Sequence, residues 1–157
     1  MNEGPLLSLA PGSGRSWETG LERAAAVLRD GGVVSCATDT YYALGADPLN
    51  RSAVDRVFRI KRRRRWAPLP VLIGDPAQAE AVLGGALPRV VAPLLEACWP
   101  GPLTLVLKAR RPLPAGVAGA DGTVGLRWPH WPVAEALLQR FGGAITGSSA
   151  HRSGHGA

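Results

Sequence analysis

Short apolar runs alternate with amphipathic stretches along most of this 157-residue chain. The clearest apolar run is Leu103-Thr104-Leu105-Val106-Leu107, whose length and composition predict a β-strand. Between the apolar runs lie stretches with apolar residues at helical spacing, and Gly or Pro residues mark their ends. Because strands that alternate with helices pack in layers, this pattern predicts an α/β protein.

The predicted elements leave no linker that would separate two domains. Ser16 is expected to cap the first helix, and Gly31-Gly32 to stop it. Residues 1–15, rich in Gly, Pro and Ser, are predicted to be a loose leader, and residues 38–50 a polar, turn-rich connection. Residues 16–157 are therefore predicted to form a single domain. The predicted strands span residues 33–37, 70–73, 103–107, 123–127 and 144–148, and the predicted helices residues 16–29, 51–60, 76–83, 88–98 and 132–141.

The chain is strongly basic, with a formal net charge of +6 and a sequence pI near 10.3. Of its 18 Lys and Arg residues only two are Lys, and the planar arginine fork suits phosphate and carboxylate groups. This excess of positive charge favours polyanionic partners or ligands such as nucleic acid, nucleotide or phosphate. It does not choose among them.

Cysteine usage and hydropathy indicate the compartment. Cys36 and Cys98 lie far apart in apolar runs, without metal-ligand spacing, and are predicted to be reduced core residues. No apolar run approaches the ~18 residues of a membrane helix, and the N-terminus lacks the pattern of a signal peptide. The sequence therefore predicts a soluble, cytoplasmic protein.

A polar segment from Ala37 to Gly45 directly follows the first predicted strand. The carboxyl ends of strands are the usual place for ligands in open α/β sheets, so the hydroxyl, phenol and carboxylate groups here are candidate ligand contacts. The alternative is a capping turn in which Thr38 or Asp39 satisfies backbone N–H groups. The segment alone does not decide between these two interpretations.

Five consecutive cations, Lys61-Arg62-Arg63-Arg64-Arg65, lie between a helical pattern and an apolar strand. If this segment is extended, alternate side chains point the same way. Lys61, Arg63 and Arg65 would then share a face toward an anion, and Arg62 and Arg64 would face solvent. The alternative is that the whole run is a solvated basic loop.

Two later segments carry further candidate contacts. Residues 123–129 predict a strand that ends in Arg127 before a proline turn, with a surface charge as the alternative interpretation. Residues 147–154 are small and hydroxylic, which suits phosphate binding by backbone N–H groups but equally a flexible tail. Phosphate-loop and nucleophile-elbow motifs are missing from the sequence. An enzyme built from these residues would therefore bind, orient and neutralise charge without a covalent nucleophile.

Five short motifs follow one another in the chain. They are Thr38-Asp39-Thr40-x-Tyr42-x-Leu44-Gly45, Lys61-x-Arg63 with Pro68-Leu69, Trp99-Pro100-Gly101-Pro102-Leu103-Thr104-Leu105, Gly125-Leu126-Arg127-x-Pro129 and Ser149-Ala150-x-x-Ser153-Gly154. In this order and at this spacing they resemble the YrdC-like family, whose best-known members are threonylcarbamoyl-AMP synthases. The similarity covers residues 31–154, nearly the whole chain.

The resemblance implies a twisted, open, mixed sheet with flanking helices around a positively charged cavity. It implies a nucleotidyltransferase that makes threonylcarbamoyl-AMP and pyrophosphate from L-threonine, bicarbonate and ATP, with Mg²⁺ accompanying ATP and no tightly bound cofactor. The adenylate would supply the t6A modification at position 37 of tRNA through a separate transferase. Direct contact with tRNA or double-stranded RNA is a further expectation.

The resemblance also assigns residues to a site without a metal ligand or a nucleophile. The expected contacts to threonine are Thr40, Tyr42 and Arg127. The expected contacts to ATP are Lys61, Arg63, Thr123, Ser149 and His151, with Lys61 and Arg63 stabilising negative charge.

The chain departs from the family pattern at several positions. His151 stands where members usually have Asn, Ala67 where they carry Asn or Lys, and Ala43 where they carry Gly. The chain also stops three residues after Gly154, whereas members continue further, so a domain shortened at its C-terminus with an uncovered sheet edge is expected. These departures leave an alternative function, an RNA- or nucleotide-binding domain without the full synthase activity.

Overall fold

The structure is a computed structural model that describes residues 14–64 and 67–150. It contains alternating helices and strands, as the sequence predicts. The helices are α1 (Arg15–Arg29), α2 (Arg51–Lys61), α3 (Pro76–Leu83), α4 (Ala92–Cys98), preceded by a 3-10 turn at Arg89–Val91, and α5 (Pro132–Phe141). The strands are β1 (Val34–Ala37), β2 (Tyr42–Gly45), β3 (Val71–Leu72), β4 (Thr104–Lys108), β5 (Thr123–Arg127), β6 (Ile145–Thr146) and β7 (Ser148–Ser149).

The strands form two small sheets. The first has the order β1-β2-β7 and is antiparallel throughout. The second has the order β4-β5-β3-β6, in which β3 and β5 are parallel and the other neighbours antiparallel. Open mixed strand pairing with flanking helices is thus confirmed.

The two sheets meet at Thr146, which is fully buried. Its N–H donates to the Ala46 oxygen at 2.8 Å, and its hydroxyl accepts from the Ala46 N–H at 3.0 Å and donates to the Leu44 oxygen at 2.9 Å. The threonine hydroxyl therefore satisfies backbone groups of residues 44 and 46 that a neighbouring strand would otherwise bond. The chain then passes through Gly147 into the other sheet, so the single strand predicted over residues 144–148 is in fact β6 and β7.

Three other sequence predictions need correction. Helix α1 begins at Arg15 after Gly14, without the expected side-chain cap from Ser16. Apart from these first two described positions, the predicted leader lies outside the described residues. The helix predicted over 88–98 is divided into the 3-10 turn and α4. The polar connection over 38–50 contains β2, because Ala43 and Leu44 pair with both β1 and β7 and are buried.

Two apolar clusters hold the layers together. One joins α2 and α3 to the second sheet through residues such as Val57 and Leu126. The other packs α1 and α5 against the first sheet and includes Cys36, where burial raises the thiol pKa to about 11. Both cysteines are free. Cys98 is only half-buried, at the end of α4, which has no fully buried side chain, so the prediction of a core residue holds for Cys36 and not for Cys98. None of the described helices combines the length and the hydropathy that a membrane-spanning segment needs.

Candidate functional site

The turn between β1 and β2 is closed by Thr38. Its hydroxyl accepts from the N–H groups of Thr40 at 3.3 Å and Tyr41 at 3.2 Å, and donates to the Tyr41 oxygen at 2.6 Å. Of the two capping candidates, Thr38 therefore caps the turn, and Asp39 is left to point elsewhere.

Arg127, the last residue of β5, is held by three segments of the chain. Its guanidinium donates through Nη2 to Asp39 Oδ1 at 2.6 Å, through Nη1 to Thr40 Oγ1 at 2.9 Å and through Nε to the Gly101 oxygen at 3.4 Å. The Arg127 backbone is fixed as well, since its oxygen accepts from the Ile73 N–H at 2.9 Å. The structure thus brings together Thr40 and Arg127, two of the three residues expected at threonine.

Tyr42, the third of these residues, begins β2. Tyr42 is 65% exposed, and Tyr41 beside it is 60% exposed. The Tyr42 oxygen accepts from the Ala150 N–H at 2.7 Å. The Tyr42 backbone is therefore held firmly next to the Ser149 segment, while its phenol is open to solvent or ligand.

Lys61, the last residue of α2, is the most buried cation in the described part of the chain. Its ammonium donates to the backbone oxygen of Ser149 and, at 3.2 Å, to the Ser149 hydroxyl. Burial, followed by the charge of Arg63, lowers the pKa of Lys61. Two of the residues expected at ATP, Lys61 and Ser149, are thus in direct contact.

The basic run is not extended at its start. Arg62 adopts the left-handed conformation (φ 50°) that ends α2. The Arg63 guanidinium folds back on its own loop, donating to the Ala67 oxygen at 2.9 Å and the Pro68 oxygen at 3.2 Å. Burial does alternate as predicted, with Arg62 and Arg64 exposed, but the helix end and the left-handed turn cause it rather than strand parity. Arg65 lies outside the described residues.

Thr123 lies at the opposite end of β5 from Arg127, about 13 Å away by the rise of a strand. Its hydroxyl and N–H both donate to Asp121 Oδ1, at 2.7 and 3.1 Å, and these bonds lower the pKa of Asp121. Because β3 runs parallel to β5, the loop that Arg63 holds through Pro68 enters the sheet from the Thr123 end. Thr123 therefore lies at the end of β5 away from Arg127, and its hydroxyl bonds to Asp121.

Sequence reasoning missed two members of the site. Asp39 was considered as a candidate ligand contact or a turn residue but not as a partner of Arg127, and Gly101 only as part of a motif. The signal for Asp39 was its place between two threonines, but its partner lies 88 positions away. His151 falls outside the described residues. Within residues 14–64 and 67–150, no group of three or more His, Cys, Asp and Glu side chains is placed to hold a metal ion.

The paired sheets and the Arg127 and Lys61 clusters define an α/β protein with cationic sites at strand and helix ends. The chain belongs to the Sua5/YciO/YrdC family, whose model, described as telomere recombination, matches residues 26–157. The family membership expected from the five motifs is thereby confirmed.

Two relatives named threonylcarbamoyl-AMP synthase illustrate the similarity. The protein of Halorhodospira halophila is 39% identical over 133 residues, which cover 85% of this chain and 69% of the relative. That of Methylococcus capsulatus is 37% identical over 142 residues, covering 88% and 75%. The solved structure of Pyrococcus abyssi Sua5 complexed with L-threonine has a TM-score of 0.78 at 36% identity, covering 84% of this chain and 38% of that chain. The present chain thus spans about two fifths of that longer protein.

Proposed function

We propose that this chain is a threonylcarbamoyl-AMP synthase, a nucleotidyltransferase that forms threonylcarbamoyl-AMP and pyrophosphate from L-threonine, bicarbonate and ATP. The observation that carries the proposal is the Arg127 cluster, in which Thr40 and Arg127 form a hydrogen bond although 87 positions separate them. The names of the relatives and the threonine complex of the Pyrococcus protein support it.

Arg127 would bind the carboxylate of threonine. A guanidinium has five N–H donors in a fixed fork, and the chain uses three of its nitrogens to fix the orientation of that fork. Because the guanidinium is oriented before the ligand arrives, less entropy is lost when threonine binds. Thr40 would add a hydroxyl contact, and the exposed ring of Tyr42 would close over the amino acid.

Lys61 and Arg63 would stabilise charge on the phosphates of ATP. N-carboxylated threonine attacks the α-phosphorus, the bond to the bridging oxygen of pyrophosphate breaks, and negative charge collects on the leaving group. Fixed cations in a partly dry site stabilise that charge. Ser149, Thr123 and His151 would complete the ATP contacts, and Mg²⁺ would enter with ATP as part of the substrate.

The exposed arginines of α2 and the following turn, among them Arg51, Arg59 and Arg62, support a weaker extension of the proposal. They would contact the backbone of tRNA, and the adenylate would pass to a separate transferase for t6A formation in the cytoplasm. Electrostatic contact of this kind weakens steeply as salt rises. Tests of tRNA binding at two salt concentrations would check it.

Mass spectrometry with ¹³C-bicarbonate tests the proposed reaction. Purified protein incubated with ATP, Mg²⁺, threonine and the labelled bicarbonate is expected to make an adenylate that contains the label and threonine. AMP or ADP without a labelled adenylate would contradict the proposal. Binding of ATP or RNA without any adenylate would favour the simpler binding domain.

A further inference from the structure

Asp39 is the acidic member of the Arg127 cluster. It lies in the turn between β1 and β2, and its ion pair with Arg127 joins the first sheet to the second across the site. The Arg127 and Asp39 side chains are only 14% and 18% exposed. An ion pair with so little solvent is screened less than a surface pair, so its geometry is maintained more strictly.

The hydrogen-bonding groups of the pair are incompletely used. Asp39 bonds to Arg127 through Oδ1, and no hydrogen bond within the described residues engages Oδ2. Arg127 uses one N–H on each of its three nitrogens, which leaves two of its five donors. Among the described residues the pair therefore keeps a carboxylate oxygen and two guanidinium N–H groups without a partner, with a net charge of zero.

We propose that Asp39 binds the ammonium group of the amino acid substrate while it positions Arg127 for the carboxylate. This inference rests on the proposed function and adds a specificity-determining residue to it. A neutral pair of opposite charges matches a zwitterion, whose ammonium and carboxylate are two bonds apart on one carbon. A hydroxy acid without the amine would leave the Asp39 oxygen unpaired, and an amine without the carboxylate would leave the Arg127 donors unpaired.

The same charge arrangement orders the next step. The ammonium first loses a proton to solvent, and the free amine then attacks the bicarbonate carbon; a C–N bond forms, water leaves, and the carbamate that results carries a negative charge. Asp39 would attract the ammonium and repel the carbamate. Repulsion from Asp39 would turn the new carboxylate away from the Arg127 end and toward the cations proposed to hold ATP.

Calorimetric binding of two ligands to wild-type protein and Asp39→Asn tests the proposal. The ligands are L-threonine and 3-hydroxybutyrate, which keeps the hydroxyl and carboxylate but lacks the amine. Wild type is expected to prefer threonine by about tenfold to a hundredfold, the worth of one charge-assisted hydrogen bond. Asp39→Asn, which removes the charge at nearly constant shape, is expected to lose most of that preference. Asp30→Asn, an exposed site with the same change in charge, is the matched control and should keep it.

Each result has a distinct meaning. If Asp39→Asn loses the same factor of affinity for both ligands, Asp39 only holds Arg127 in place, and the ammonium contact is overturned. Unchanged threonine binding would overturn both roles of Asp39. Should Asp39→Asn fail to fold, equal binding of the two ligands by wild type would overturn the inference without any variant. Wild type that binds no threonine, with ATP present or absent, would instead overturn the proposed function.

Discussion

The ammonium of Lys61 donates to both the backbone oxygen and the hydroxyl of Ser149, 88 positions further along the chain. Lys61 is 3% exposed, so this contact fixes the end of α2 to β7 inside the protein. The acceptors are neutral, no ion pair to Lys61 is formed within the described residues, and a buried cation without a charged partner costs free energy. Such a cost is reasonable where the cation is needed for an anionic ligand.

Replacing Lys61 by Met is expected to change the pH dependence of stability. Burial and Arg63 lower the pKa of Lys61, so the native state holds fewer protons than the unfolded state between the lowered native value and the ordinary value of about 10.4. Stability of the wild type should therefore rise with pH through this window, relative to Lys61→Met. Urea unfolding of both proteins at several pH values from neutral up to the ordinary lysine pKa of about 10.4 measures this difference. A difference that does not change with pH would contradict the account.

Arg63→Ala and Arg64→Ala form a matched pair. Arg63 is held against the Ala67 and Pro68 oxygens, whereas Arg64 is exposed. Arg63→Ala is expected to raise the KM for ATP by about tenfold or more, since a charge-assisted contact to phosphate is lost. Arg64→Ala should leave it within about twofold, as for an ordinary surface charge. Equal effects of the two variants would show that the run acts only as a diffuse basic loop.

Arg127→Lys is expected to weaken the binding of threonine more than the binding of ATP. Lysine keeps the charge but cannot reach Asp39, Thr40 and the Gly101 oxygen together. The KM for threonine should rise by about tenfold to a hundredfold, with the KM for ATP nearly unchanged. Initial rates with each substrate varied in turn measure the two constants. A rise in the KM for ATP alone would show that Arg127 contacts ATP rather than threonine.

Gly147→Ala is expected to destabilise the protein by about 1–3 kcal/mol. A Cβ at this position would lie 2.6 Å from Leu72 Cγ, and the Gly147 N–H is already tied to the Pro70 oxygen at 2.7 Å. Gly125→Ala is the control, because its nearest contact would be the Thr104 methyl at 3.3 Å. Urea unfolding compares the two variants. Equal decreases in the free energy of unfolding for Gly147→Ala and Gly125→Ala would show that Gly147, where the chain passes between the sheets, tolerates a side chain as well as β5 does.

The sequence predicted the order of elements well, because apolar periodicity depends on neighbouring residues. It missed β2, whose four residues are mostly apolar but follow a polar turn. Pairing with β1 along all four residues, and with β7 about a hundred positions later along two, makes that segment a strand, and strand pairing of this kind overrides local composition.

The candidate site was predictable to a similar degree. The polar turn after β1 left two alternatives open; the structure shows the capping turn, closed by Thr38, and also places Thr40 against Arg127, while ligand contact by this segment stays a prediction. The pairing of Asp39 with Arg127 depends on how two sheets approach each other, which one sequence does not reveal. The alternation of buried and exposed side chains in the basic run was attributed to an extended backbone, and that cause was wrong. The left-handed conformation of Arg62 is rare for arginine, and no residue pattern in the sequence indicates it.

Release of pyrophosphate tests the central claim most directly. Protein, ATP and Mg²⁺ are combined with threonine and bicarbonate together, with each omitted in turn, and with Arg127→Lys in place of wild type. The account predicts release only when threonine and bicarbonate are both present, and much slower release by Arg127→Lys at low threonine. Release that is independent of threonine, or none from folded wild-type protein with all substrates present, would contradict it.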